Sequence, residues 1–486
     1  DYTHFVNECT QAVEEIAKHA IGITIIVGSP TFNASKNGRK LYNSACILQD
    51  GIIKDTVHKT LLPTYDIFNE ARYFEENSIF KTIDLNGKKV AITICEDLWF
   101  EMDRFNYLGN PLDELSKSNP DLLINISASP FNINKKLERF KVLQNACMRY
   151  SVPLVYVNQT GVHTDIVFDG NSMVIDKHGK LILQCEDFKE DFRIFETDKK
   201  YDELEFKEKD ATELMHEALI YGIQNFFNKM GFTKAILGSS GGIDSAVVQA
   251  LASRAIGAEN VKAILMPSDF SSEGSVVDAR QLSENLGNSY EVLPISNVFE
   301  SFGATLKPMF EGLEFGLAEE NIQARSRAVL LMAISNKFGH ILLNTSNKSE
   351  MSVGYTTLYG DMCGSLSVMG DVYKTDVYKL ARFINKDKEI IPYSIIDKAP
   401  SAELRPNQKD SDSLPDYSIL DQILELYIEK QKGLEEIVKL GFDSTLVSRI
   451  IGMVNRNEYK RFQAPPIIRV SSKAFGRGRQ IGRAHV

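Results

Sequence analysis

The chain has 486 residues, 43% of them hydrophobic, which is too long for one ordinary domain and apolar enough for two buried cores. Its 55 basic and 65 acidic residues give a net charge of −10, which excludes bulk attraction to nucleic acid or an anionic membrane but leaves room for a local anion site. No apolar run approaches a membrane-spanning length, and no signal peptide is expected at the start.

The opening residue is Asp1, and the reading is that the chain enters in mid-domain. GITIIVG (22–28) predicts a buried strand by its β-branched content, and 44–58 predicts a hairpin with its turn at Asp50-Gly51. KVAITICEDLW (89–99) predicts a strand ending on Cys95, and 121–131 a strand running into a turn. Residues 135–151 carry apolar positions at helical spacing, 152–161 read as a strand, and 171–182 as a second hairpin. The charge-dense stretch 186–212 reads as a linker or wrapped arm. Strands and helices then alternate: helix 213–229, strand 235–237, helix 243–256, strand 261–267, helix 275–286, strand 289–295, helix 320–337 and strand 340–344. That alternation predicts a parallel sheet covered on both faces. The six cysteines, at positions 9, 46, 95, 147, 185 and 363, show no paired spacing. Neither a disulfide framework nor a zinc module fits them, so the expected compartment is the reducing cytoplasm.

LGSSGGIDSAVV (237–248) joins one of these strands to a helix. Such a turn points unpaired N–H groups and the positive end of the helix dipole at an anion. Gly241 and Gly242 permit close backbone approach, and the hydroxyls of Ser239, Ser240 and Ser245 can donate to phosphate oxygens. Asp244 would repel a bare phosphate, so a bound Mg²⁺ is implied. A Walker loop needs a following Lys and a dinucleotide fingerprint needs G-x-G-x-x-G; both are absent.

SGGIDS (240–245) resembles the pyrophosphate loop of the ATP pyrophosphatases. ENIQARSR (320–327), NTSNKSEMSVGYTTLYGDMCG (344–364), GDVYKT (370–375), PSAELRPNQKDSDSLPDY (400–417) and NEYKRFQAPP (457–466) narrow the resemblance to the NAD synthetases over 213–478. The resemblance implies a Rossmann-like doubly wound sheet. It implies ATP contacts at Gly238, Ser239, Ser240, Gly241, Gly242, Ile243, Asp244, Ser245, Arg325, Thr345, Lys374 and Ser401. Mg²⁺ is assigned to Asp244 and Glu350. The deamido-NAD site is assigned to Asn321, Glu350, Tyr355, Thr356, Thr357, Leu358, Asp361 and Lys460. The implied reaction adenylates the nicotinate carboxylate, releases pyrophosphate, and lets ammonia displace AMP.

The first half, residues 1–190, resembles the nitrilase-like amidases in the form fused to NAD synthetase as a glutaminase, with an α-β-β-α sandwich. Cys95 then matches the nucleophile and Lys59 its catalytic lysine, expected to lower the thiol pKa, while Tyr65, Ser129 and Lys135 match glutamine-holding positions. The family's glutamate base has no matching motif before Lys59, so it is expected in sequence preceding Asp1; Glu8, Glu14 and Glu15 lie in a helical pattern instead. The closing 479–486, including QIGRAHV, are expected to be a non-native tail. Homo-oligomers built on synthetase dimers are implied by resemblance. The alternatives are an ammonia-only synthetase with an impaired glutaminase, a carbon–nitrogen amidase with a nucleotide-binding second domain, and a non-catalytic assembly or regulatory protein.

Overall fold

A computed structural model describes residues 2–35, 37–100, 107–406 and 408–476. The expected tail at 479–486 lies outside the described residues. The chain divides into two compact units, one of residues 1–161 and 168–208, the other of 162–167 and 209–486.

The first unit opens with helix α1 (Thr3–Ala17) and a three-stranded antiparallel sheet of β1 (Thr24–Phe32), β2 (Leu41–Gln49) and β3 (Ile52–His58). The β2–β3 turn falls on Asp50 and Gly51, both at positive φ (+53 and +83), as the Asp-Gly pair demands. A second sheet has the order β11-β10-β7-β6-β5-β4. Its strands are β4 (Ile83–Leu85), β5 (Lys88–Ile94), β6 (Leu122–Ser127), β7 (Leu154–Asn158), β10 (Met173–Ile175) and β11 (Leu181–Gln184). β5, β6 and β7 run parallel. A small hairpin of β8 (Thr160–His163) and β9 (Ile166–Asp169) interrupts the order, and its residues 162–167 group with the second unit.

The two sheets bury Ala45, Ile47 and Val57 against Val90, Ile92, Ile94 and Leu122. On the outer side of the first sheet, α1 packs Val13 and Ala17 on Cys46 and Leu48. On the outer side of the second, helices α2 (Pro111–Ser116) and α3 (Lys135–Tyr150) cover Ala91, Leu123, Leu154 and Tyr156. This is the α-β-β-α sandwich expected from the resemblance.

The second unit begins with α4 (Ala211–Met230), capped by Asp210 and ended by Gly231 in the left-handed region. It continues through β12 (Ala235–Gly238), α5 (Ile243–Ile256), β13 (Val261–Leu265), α6 (Glu273–Leu286) and β14 (Ser289–Val292). Then follow α7 (Ser296–Phe310), α8 (Leu317–Phe338), β15 (Ile341–Asn344), α9 (Lys348–Val353), β16 (Leu366–Ser367) and α10 (Lys374–Ile384). The sheet order is β14-β13-β12-β15-β16, and every pairing is parallel. Its inner strands β12, β13 and β15 are short, mostly apolar runs, as strands covered on both faces require, while the edge strand β14 is largely exposed. Leu331 of α8 packs on Ile236, Ile264 and Leu342. Helices α11 (Tyr393–Asp397), α12 (Tyr417–Ile428), α13 (Leu434–Lys439), α14 (Ser444–Arg456) and α15 (Glu458–Arg461) complete the unit; α12 and α14 centre a separate core of Leu420, Ile423, Leu424, Val447 and Ile450.

The winding sets the position of the second site. From β12 the chain steps outward to β13 and β14, then returns to place β15 on the other side of β12. In open α/β sheets, ligands bind at such a reversal, beyond the carboxyl ends of the strands. The loops leaving β12 and β15 there are 239–242 and 345–347.

Candidate active sites

In the first unit, chemistry-bearing residues collect where β3 and β5 end. Lys59 follows β3 directly and is 1% exposed. Its Nζ donates to Glu70 Oε1 at 2.6 Å, and Asn43 Nδ2 holds the other Glu70 oxygen at 3.1 Å. Cys95 follows β5 directly, at φ +45, in the left-handed region that a non-glycine residue occupies only under constraint. The sequence reading expected Lys59 to lower the Cys95 pKa. The structure reverses the balance: burial holds the thiol above its ordinary value, and Lys59 opposes that only in part. A buried thiol of this kind needs a proton acceptor before it can attack.

Tyr65 Oη donates to both oxygens of Glu96, at 3.2 and 3.0 Å, and Tyr107 Oη to Oε1 at 3.1 Å. Burial pushes the Glu96 carboxyl up. Lys135 Nζ lies 3.6 Å from the centre of the Trp99 ring, and burial lowers its pKa. The Ser129 N–H is fixed by Asn158 Oδ1 at 2.9 Å. Asn158 in turn meets Asp169, which takes both Arg139 guanidinium nitrogens at 2.9 and 3.0 Å. Lys59, Tyr65 and Lys135 each interact electrostatically with Cys95 or Glu96, so four of the five residues expected here share one locality, and Ser129 is the fifth, two residues past the end of β6. Glu8, Glu14 and Glu15 lie exposed on α1.

In the second unit a cavity of about 300 Å³ opens at the strand reversal. Gly238, Ser239, Ser240, Gly242, Ile243, Asp244, Ser245, Thr345, Lys374 and Ser401 line it, with Glu350, Tyr355 and Asp361. Gly241 makes the turn: its φ is +76, and a Cβ there would fall 2.2 Å from the Ser275 carbonyl oxygen. The α5 start is organised by Ser245, whose Oγ donates to the Gly242 carbonyl at 3.0 Å and accepts the Ser240 N–H at 3.2 Å. Ser239 differs from the expectation. Its one hydroxyl proton goes to Gln249 Oε1 at 3.0 Å, inside a buried network with Ser283 and Asn288. That network supplies a partner for a hydroxyl at a buried position.

Lys374 Nζ bridges the Asp244 and Glu350 carboxylates, the second at 3.3 Å. Asn347 Nδ2 holds the other Asp244 oxygen at 2.9 Å. Burial pushes Glu350 up to about 8, with Lys374 opposing and Asp244 adding to the rise. Lys374 opens α10, where Asp421 accepts the Thr375 N–H at 2.9 Å and the Ser349 hydroxyl at 2.5 Å. The expected dinucleotide residues are tied together: Thr357 Oγ1 donates to Asn321 Oδ1 at 2.7 Å, the Thr357 N–H to Asp361 Oδ1 at 2.6 Å, and Lys460 Nζ to the Gly354 and Thr356 carbonyls at 2.8 Å. Burial raises Asp361 to about 6. Arg325 is exposed and donates to the Leu358 carbonyl at 3.1 Å, outside the cavity lining; Arg327 lines the cavity instead.

Residues 215–464 match the family described as NAD synthase, and residues 3–204 that described as carbon-nitrogen hydrolase. A glutamine-dependent NAD(+) synthetase of Synechocystis sp. is 44% identical over 487 residues, covering 98% of this chain and 87% of the relative. One of Thermotoga maritima is 38% identical over 514 residues, covering 97% and 87%. The chain belongs to the glutamine-dependent NAD(+) synthetases.

A solved glutamine-dependent NAD⁺ synthetase of Acinetobacter baumannii, in complex with ADP, superposes with a TM-score of 0.76 at 36% identity, covering 98% of this chain and 87% of that one. The synthetase of Cytophaga hutchinsonii, at 19% identity and a TM-score of 0.79, shares the fold. The chain is thus an amidoligase joining a glutaminase unit to an NAD synthase unit, with ATP, deamido-NAD and glutamine as substrates. Among the described residues no helix is long and apolar enough to cross a membrane.

The sequence reading of this synthetase missed Glu70, Glu96 and Arg327. Arg327 stood in the same A-R-x-R run as Arg325, and only the rotation of α8 separates them. Glu70 sits in a single 3₁₀ turn, Glu70–Arg72, with no spacing that marks it.

Proposed function

We propose that Cys95 is the glutaminase nucleophile and that Lys59, Tyr65, Ser129 and Lys135 act with it. The supporting observation is the convergence of a strained Cys95 with a buried ammonium that is itself paired to Glu70. The Cys95 sulfur attacks the glutamine carboxamide carbon, the thiol proton passes to the amide nitrogen, which departs as ammonia, and water then frees glutamate from the thioester and restores the thiol. Lys59 stabilises the oxyanion. Lys135 and Glu96 bear the opposite charges that an amino acid's carboxylate and ammonium require.

In the synthase unit, Gly238, Ser240, Gly242, Ile243, Asp244, Ser245, Thr345, Lys374 and Ser401 surround ATP, with Gly241 shaping the loop. Arg327 supplies a cavity-lining guanidinium where Arg325 was expected. Asn321, Glu350, Tyr355, Thr356, Thr357, Leu358, Asp361 and Lys460 receive deamido-NAD. The nicotinate carboxylate attacks the α-phosphorus, pyrophosphate leaves, and ammonia then displaces AMP. The protein orients the reactants and offsets phosphate charge.

Mg²⁺ would be held by Asp244 and Glu350. Their fit rests on Lys374: one ammonium reaches both carboxylates, so both can serve one cation. These are hard oxygen donors suited to Mg²⁺, with phosphate oxygens completing the set. When bound, the ion would neutralise triphosphate charge. No cluster of three or more His, Cys, Asp or Glu ligands occurs among the described residues.

A cytoplasmic location accords with six unpaired cysteines. Assembly through synthase units is supported by α7, which has no buried residue, and by exposed Met309, Val329 and Phe338 on α7 and α8. The functional reading is tested by D244N: NAD formation should vanish with either glutamine or ammonium as nitrogen donor. Retained synthesis would remove Asp244 from the site.

A further inference from the structure

Asp97 has no role in the chemistry above, yet its carboxylate hydrogen-bonds the backbone beside both Lys59 and Cys95. It is 2% exposed and accepts three backbone N–H groups. Oδ1 takes those of Thr60 at 3.0 Å and Leu61 at 2.8 Å; Oδ2 takes that of Ile94 at 2.9 Å. Thr60 and Leu61 directly follow Lys59, and Ile94 directly precedes Cys95. β3 and β5 belong to different sheets, so no ladder hydrogen bond fixes one strand end against the other. One side chain spans that gap. It also reaches back across the 3₁₀ turn Cys95–Leu98, which it enters at the third position, and so pins the turn that holds Cys95 at φ +45. A strained residue persists only where its surroundings over-determine it.

We propose that Asp97 is a positioning residue for glutamine hydrolysis, setting the separation and orientation of Lys59 and Cys95 without touching glutamine. The desolvation of a wholly buried carboxylate is unfavourable, and it raises Asp97 to about 6; the three amide donors and Lys59 offset it. D97N keeps the volume but replaces one acceptor oxygen by an NH₂ group. Either the Thr60–Leu61 pair or Ile94 then faces a donor, and one end of the span is released.

This inference rests on Cys95 and Lys59 being the reacting pair, so C95A is measured beside D97N in the full chain. The readouts are kcat and KM for glutamine-driven NAD formation, the ammonium-driven rate, and the pH dependence of Cys95 alkylation by iodoacetamide. D97N should lower the glutamine kcat by about 100-fold, since misplacement of about 1 Å costs that much. KM for glutamine should stay within about threefold and the ammonium rate within about twofold. The midpoint of the alkylation profile should move, because Lys59 no longer stands at its fixed place beside the thiol. D97E, which keeps the charge, should recover part of kcat. If D97N does not fold, D97E alone decides: an altered kcat at constant KM supports the proposal. An unchanged kcat in the folded variant, or a lowered kcat with an unmoved alkylation midpoint, overturns it. Glutamine-driven turnover surviving in C95A overturns the underlying assignment instead.

Discussion

Glu70 Oε1 accepts a 2.6 Å hydrogen bond from Lys59 Nζ, joining a carboxylate that no motif marked to the lysine that one did. The pair is buried on the lysine side, at 1% exposure. A neutral partner would leave that ammonium without a counter-charge and free to shift, so E70Q should lower glutamine-driven NAD formation by about 100-fold, the scale of misplacing a reacting group by about 1 Å. Ammonium-driven synthesis should be unaffected. Steady-state rates with the two nitrogen donors check both parts.

The Cys95 thiol gives a pH prediction. Burial disfavours the thiolate and outweighs Lys59⁺, which favours it, so the net shift is upward from 9.0. Alkylation of the resting enzyme at Cys95 should therefore keep rising with pH through 9. K59M removes the largest favourable charge and should slow labelling at pH 8. A plateau below pH 8 in the unmodified chain would contradict the balance assigned here.

Arg325 and Arg327 make an internal contrast on α8. Only Arg327 lines the cavity, where its Nε donates to the Met266 carbonyl at 3.0 Å and burial lowers its pKa to about 10. R327M should raise KM for ATP about tenfold or more, the value of one charge-assisted contact of about 1.5–3 kcal/mol. R325M should change it less than threefold. ATP titrations of the two variants decide the matter, and the reverse order would restore the arginine that the sequence resemblance favoured.

Lys348 tests how the synthase site is supported. Its ammonium is wholly buried between Asp371 at 2.9 Å and Glu429 at 2.9 Å, and it also donates to Ser471 Oγ at 2.7 Å. Asp371 additionally holds the Val470 and Ser471 N–H groups. The network thus anchors the 470–473 segment to α9, which carries Glu350. K348M strands two buried carboxylates and should destabilise the unit by about 3–5 kcal/mol. Chemical denaturation measures this.

Local periodicity carried most of the fold. Helix α5 spans Ile243–Ile256 as read from the strand–loop–helix alternation, and the Asp50-Gly51 turn sits where its chemistry put it. The β8–β9 hairpin lies between the strand read at 152–161 and the hairpin read at 171–182, and α7 went unread although it is amphipathic, none of its residues being buried in this chain's core. The site residues divide the same way. Cys95, Lys59 and Asp244, the residues proposed to act, stand in short stretches legible along the chain. Glu70, Asp97 and Arg327 meet Lys59, Leu61 and Met266 across 11, 36 and 61 positions of chain, which only packing brings together.

The proposed division of labour is ammonia release at Cys95 and ammonia use in a separate unit beside Asp244. The most direct test is NAD formation by C95A with glutamine and with ammonium in parallel. C95A should keep the ammonium-driven rate and form no product from glutamine. Glutamine-driven synthesis surviving in C95A would remove Cys95 as the nucleophile, and ammonium-driven synthesis lost with it would overturn the separation of the two sites.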